Sequence, residues 1–126
     1  MNPYLNDDLM TLAALVRRFA DARVAPGFLE RDRTRVLDRS LMREMGAMGL
    51  IAPELPEHLG GQGLGCLAAG VVHEELARAD LSMSYVPLLA SLNAQILAAH
   101  GQPDIARPWL QKMVAGEALC AIALTE

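Results

Sequence analysis

Aromatic residues are scarce in this chain. Phenylalanine, tyrosine and tryptophan together make up 4% of 126 residues, although 52% are hydrophobic. The core therefore has to be built from Leu, Ala, Met, Val and Ile, a palette weighted towards helix formers. There are two cysteines, Cys66 and Cys120. They form no CxxC and have no histidine at ligand spacing, which excludes a disulfide scaffold and a structural zinc site; both read as small buried side chains. No basic patch is interleaved with aromatics and the net charge is −4, which argues against nucleic acid as a partner. No uninterrupted apolar run approaches the ~20 residues of a membrane span. Asp7 and Asp8 precede the first apolar segment and Arg17 and Arg18 break it, so no secretory signal is visible. A reduced, cytoplasmic protein of one domain is expected.

What the chain does have is helical periodicity. Asn6 or Asp7 can cap a first helix, in which Leu9, Leu12, Val16 and Phe19 form an apolar stripe and which Pro26-Gly27 should end. A charged connector follows, with Arg31, Arg33 and Arg35 read as a solvated face. Asp38 caps a second helix carrying Leu41, Met42, Met45 and Met48 inward, and Gly49 stops it. The density of proline and glycine over 50–64 predicts a loop. A third helix spans about 66–79. Leu81-Ser82 reads as a break, after which Ser82 or Ser84 caps a fourth helix over about 85–100. Leu88, Leu89, Leu92, Ile96 and Leu97 cover more than half of its circumference, which predicts a central, buried helix. A fifth runs over about 103–115, with Pro108 expected to kink it or start it afresh. The last segment, from Leu119 to Thr125, has no helical stripe and reads as a strand. The fold class is all-α: an up-and-down bundle of about five helices over 1–117, followed by one short strand in 118–126 that begins something new.

Few residues point to chemistry on their own. Gly61-Gln-Gly63-Leu-Gly65 follows no strand and has Cys66 where a dinucleotide fingerprint needs glycine, so it reads as a turn. Glu74 and Glu75 are adjacent on a helix and point apart, which disfavours an acid/base pair; Glu74 and Arg78 have the spacing of a surface ion pair. His58, His73 and His100 have no nucleophile at an evident spacing.

Taken in order, several segments resemble one family. Met45-Gly46-Ala-Met-Gly49-Leu50, then Pro56-Glu57-His-Leu-Gly60-Gly61-Gln-Gly63-Leu64, is similar to the acyl-CoA dehydrogenase pattern LGxxGL…PExxGGxGL, with Met45 in place of its first leucine. Glu74-Glu75-Leu76-Ala77-Arg78 resembles its next helix. Trp109-Leu110 and Gly116-Glu117 resemble the approach to the flavin strand, and Ala121-Ile122-Ala123-Leu124-Thr125-Glu126 resembles the start of a signature that continues PxxGSD. The resemblance implies the N-terminal helical domain of an FAD-dependent enzyme that removes the α and β hydrogens of an acyl-CoA, cut off where the flavin-binding strand begins and inactive by itself. It implies electron-transferring flavoprotein as acceptor and a homodimer or homotetramer when full-length. It places Ile122 and Leu124 (through backbone groups) and Thr125 (through its hydroxyl) at the flavin edge. Leu88, Ala90 and Leu92 fall on the helix lining the acyl cavity. The catalytic carboxylate is expected in a later domain, so no acid here is assigned as base. A non-catalytic helical interaction module, and a flavin monooxygenase or nitroalkane oxidase relative, stand as alternatives.

Overall fold

The computed structural model describes residues 3–125. Among them six α-helices are arranged as five rods: α1 (Asp7–Phe19), α2 (Phe28–Thr34), α3 (Arg39–Ala47), α4 (Cys66–Ala79), α5 (Leu81–His100) and α6 (Pro103–Val114). The first rod holds both α1 and α2. Asn6 caps α1, its side chain accepting from the Leu9 amide, and the expected stop at Pro26-Gly27 does not occur. A π-helical turn over Ala20–Val24 and a 3₁₀ turn over Ala25–Gly27 carry the rod into α2 instead of a charged connector. Proline is tolerated there because it lies in the first turn of the 3₁₀ segment, where no helical acceptor is required of its missing N–H.

Two other boundaries follow from carboxylate caps. Asp38 Oδ1 accepts from the Ser40 and Leu41 amides at 2.9 and 3.0 Å, starting α3 as expected. These amides, Leu41 foremost, lower the carboxyl pKa of Asp38. Asp80, rather than Ser82 or Ser84, caps α5, with Oδ1 accepting from Ser82 and Met83. The break at Leu81-Ser82 therefore shrinks to one extended residue, Asp80 itself. The 50–64 loop is irregular apart from a 3₁₀ turn at Glu57–Leu59, yet Leu50, Ile51, Ala52 and Leu55 are buried and plug it into the bundle.

Helix α4 packs on both α1 and α5, and α6 packs on α5. The main core joins Val16, Met42, Met45, Leu76 and Met83; burying each such side chain contributes about 1.5–3 kcal/mol. A second cluster, with Ala94, Leu110 and Met113, fills the end where α5 meets α6. Met48 and Cys66, expected inside, are exposed; Cys120 is half-buried, and burial raises its thiol pKa. Arg31 also departs from its expected solvated face and is partly buried against Asp80. Helix α6 runs through Pro108 without ending. Gly46 and Gly116 bring α3 and the end of α6 into backbone contact: a Cβ on Gly46 would stand 2.4 Å from the Ala115 carbonyl, and one on Gly116 2.2 Å from the Met42 carbonyl oxygen.

Helix α5 packs between α4 and α6 but is not buried all round, as a central helix would be. Its 20 residues, with a mean hydropathy of 1.3 in the most apolar window, are long and apolar enough to cross a membrane, contrary to the sequence expectation, and 39% of that window is buried in the bundle. Only one half of the helix faces its neighbours. Among the described residues no strand forms at the C-terminal end either. Ala118 and Cys120 pack on the second cluster and Ile122 is half-buried, while Leu119, Ala121 and Ala123 are exposed. The alternation is that of a strand, but a ladder needs a partner and none lies alongside. Glu126, the end of the expected segment, lies outside the described residues.

Candidate functional site

The most unusual surface of the bundle is the outer face of α5. Leu81, Tyr85, Leu88, Leu92 and Ile96 are each between 43% and 61% exposed. At 3.6 residues per turn they fall within an arc of about 80°. A soluble helix normally turns polar residues outward, whereas this one buries Met83, Val86, Ala90, Ser91 and Ala94 and exposes larger apolar side chains. No Asp, Glu, Lys or Arg lies between Leu81 and His100. An uncharged stripe of this kind offers an apolar wall to an aliphatic group and has no counter-charge for a polar one.

Of the residues proposed from sequence, Leu88 and Leu92 stand one turn apart on this stripe. Ala90 lies on the opposite side of the helix, 4% exposed in the main core. Ile122, Leu124 and Thr125 are carried on the separate segment after α6, with Leu124 84% exposed and Thr125 exposed. Residues 119–125 make no backbone hydrogen bonds among the described residues, so their N–H and C=O groups stand available.

Along one edge of the stripe lies a polar tie. Glu54, from the loop, accepts from Ser91 Oγ at 3.2 Å and from Gln95 Nε2 at 3.0 Å, which fixes the rotation of α5 about its axis. His73 on α4 lies near the same carboxylate. Burial lowers its pKa, while the charge of Glu54 and a hydrogen bond with the Ser84 backbone oppose that shift; its Nδ1 is buried with no hydrogen-bond partner among the described residues.

A family model for the acyl-CoA dehydrogenase N-terminal domain matches residues 6–117. The chain belongs to this family. A probable acyl-CoA dehydrogenase of Mycobacterium leprae is 31% identical over 115 residues, covering 91% of this chain and 30% of that protein. The crystal structure of an acyl-CoA dehydrogenase from Geobacillus kaustophilus matches with a TM-score of 0.91 at 27% identity, over 100% of this chain and 33% of that one. A glutaryl-CoA dehydrogenase from Mycobacterium smegmatis, in complex with FADH2, matches with a TM-score of 0.84 at 26% identity, over 91% and 30% of the two chains. This acyl-CoA dehydrogenase N-terminal domain thus spans about a third of the length of these relatives.

Glu75, Asp21 and Asp80 of the acyl-CoA dehydrogenase domain tie its helices together. Arg17 Nε and Nη2 donate to the two oxygens of Glu75 at 2.9 and 2.6 Å, and Arg78 bridges Glu75 to Asp21. The expected Glu74–Arg78 pair does not form; Arg78 pairs with Glu75 instead. The Arg17 guanidinium holds the Glu75 carboxyl below the usual carboxylate range, so Glu75 is a poor proton acceptor. Asp80 Oδ2 accepts from Arg31 Nε at 2.9 Å. Sequence reasoning missed Leu81 and Tyr85 as members of the stripe and expected Ile96 buried, although their spacing with Leu88 and Leu92 and the absence of charge on α5 carry the signal.

Proposed function

We propose that this chain is the helical wall of the acyl pocket in an FAD-dependent acyl-CoA dehydrogenase, an oxidoreductase that removes the α and β hydrogens of an acyl-CoA thioester. The uncharged outer stripe of α5, in a chain of this family, carries the reading. A folding requirement alone does not place large apolar side chains outward, whereas an aliphatic or alicyclic acyl group would be desolvated against them. Leu88 and Leu92 would contact the acyl group directly, and Ala90 would support them from behind by letting α5 approach its neighbours closely.

The segment after α6 fits a flavin. Its unpaired backbone groups at Ile122 and Leu124 and the exposed Thr125 hydroxyl are the donors and acceptors that the edge of an isoalloxazine ring requires. FAD, when bound, supplies the hydride acceptor. This chain's residues would exclude water from the acyl group and orient it, and would hydrogen-bond the flavin edge. Glu75 and Asp80, paired to arginine, do not abstract the α proton. The reading extends to an acyl-CoA substrate, electron-transferring flavoprotein as acceptor, a homodimer or homotetramer, and a cytoplasmic location.

The test is the visible spectrum of protein expressed from the gene that contains this reading frame. Flavin bands that bleach on adding acyl-CoA are expected. A colourless product, or flavin bands indifferent to every acyl-CoA tried, would overturn the proposal.

A further inference from the structure

A second site lies away from the outer face of α5, where α2 and the start of α5 flank an open cleft of about 240 Å³. An engineered cavity of about 150 Å³ takes benzene, so the space suits one ring or a short alkyl chain with a small head group. Phe28, Val36 and Met83 supply apolar wall. The polar wall is rich in uncommitted donors. Arg31 Nε and Nη2 are held by Asp80 and the Val24 carbonyl, which fixes the guanidinium in place, and its Nη1 has no acceptor among the described residues. The Arg35 guanidinium and the Ser82 hydroxyl belong to residues lining the same space, and neither group makes a hydrogen bond among the described residues. Arg35 also sits at φ 57°, the left-handed C-cap position that ordinarily takes glycine or asparagine. A long cationic side chain is thus carried at the cleft where the backbone disfavours any side chain at all.

We propose that this cleft binds a small carboxylate with an apolar tail, an aryl or short-chain acyl carboxylate. The head group would take the fork of Arg35, the free nitrogen of Arg31 and the Ser82 hydroxyl; the tail would lie on Phe28, Val36 and Met83. The Arg31–Asp80 pair is close to neutral as a unit, so Arg35 is the main source of attraction. Asp32, also on the wall and unpaired among the described residues, opposes the anion, which gives the site a two-signed signature.

The experiment is a titration of the 126-residue chain with phenylacetate, followed by backbone amide chemical shifts. Arg35→Ala keeps an L-residue in the left-handed position and removes no hydrogen bond, and Asp32→Asn is an exposed, near-isosteric change, so neither is expected to disturb the fold. Saturable shifts centred on Phe28, Arg35, Val36, Ser82 and Met83 are expected. The dissociation constant should rise about tenfold in Arg35→Ala and fall in Asp32→Asn, and neutral phenylacetamide should bind about tenfold more weakly than the anion. Three results would overturn the proposal: no saturable shift up to about 10 mM, equal affinity in wild type and Arg35→Ala, or shifts centred on Leu88 and Leu92.

Discussion

The side of the bundle where α1, α2 and α4 meet and the outer side of α5 are built on opposite terms. On the first, arginines from one rod reach carboxylates on another: Arg17 to Glu75, Arg78 to Asp21, and Arg31 to Asp80, with side chains 13% and 2% exposed in the last pair. On the second, five large apolar side chains face outward with no charge among them. These three ion pairs are satisfied within the domain. The α5 face is not, and it gains nothing from folding in this form. The contrast locates function by subtraction: the groups whose physical needs the fold leaves unmet are those that something else must meet.

The largest effect that would sharpen this contrast is expected at Asp80. Asp80→Ala removes the α5 cap and strands the Arg31 guanidinium, and should lower unfolding free energy by about 3–5 kcal/mol. A urea-denaturation loss under about 1 kcal/mol would mean that the pair is not what joins α2 to α5.

A pH-dependent effect should come next. Burial lowers the His73 pKa, so the unfolded chain takes up the proton before the folded one does. The stability associated with the neutral ring is present above the ordinary value of about 6.5 and is lost as pH falls from there towards the folded-state value, with a slope of at most about 1.4 kcal/mol per pH unit. The urea midpoint of the wild type should fall between pH 7 and pH 5.5 while that of His73→Gln stays level. Equal slopes would remove His73 as the cause. Glu75 and Asp38, whose pKa values are lowered, add their own loss only at more acidic pH, as the medium falls through their folded values.

The smallest effect on stability is expected on the stripe itself. Leu88→Ala and Leu92→Ala should each change stability by no more than about 0.5 kcal/mol, against about 2–5 kcal/mol for Leu76→Ala in the core. Thermal melts of the three variants decide it. If the stripe variants melt like Leu76→Ala, the outer face of α5 is structural and the comparison fails.

Much of this arrangement could be read before the structure. Helix α4 was bounded correctly because Gly65 and Asp80 punctuate it, and Asp38 was recognised as a cap because a short acceptor preceded a clean apolar stripe. The rod through Pro26 was missed because a proline-glycine pair ordinarily stops a helix, and only a change of pitch to π and then 3₁₀ lets the chain continue. Arg31 looked solvated because its partner, Asp80, lies far along the sequence and only tertiary packing joins them. On α5, sequence located the helix and two members of its outer face. It could not tell which half of a helix that is apolar all round would meet neighbours, so it expected burial where there is exposure. Ala90 was placed with Leu88 and Leu92 by the family resemblance, although two residues correspond to more than half a turn and set it on the opposite side of the helix.

The backbone contact between α3 and the end of α6 has a directional consequence. With Gly46 and Gly116 each admitting the other strand of main chain where a single methyl group would not fit, the heading on which the polypeptide leaves α6 is set by a helix made early in the sequence. A side chain at either glycine would do more than loosen packing. It would swing residues 118–125 through a displacement that grows with distance from the pivot, so two hydrogen atoms act as the pivot for everything those residues are aimed at.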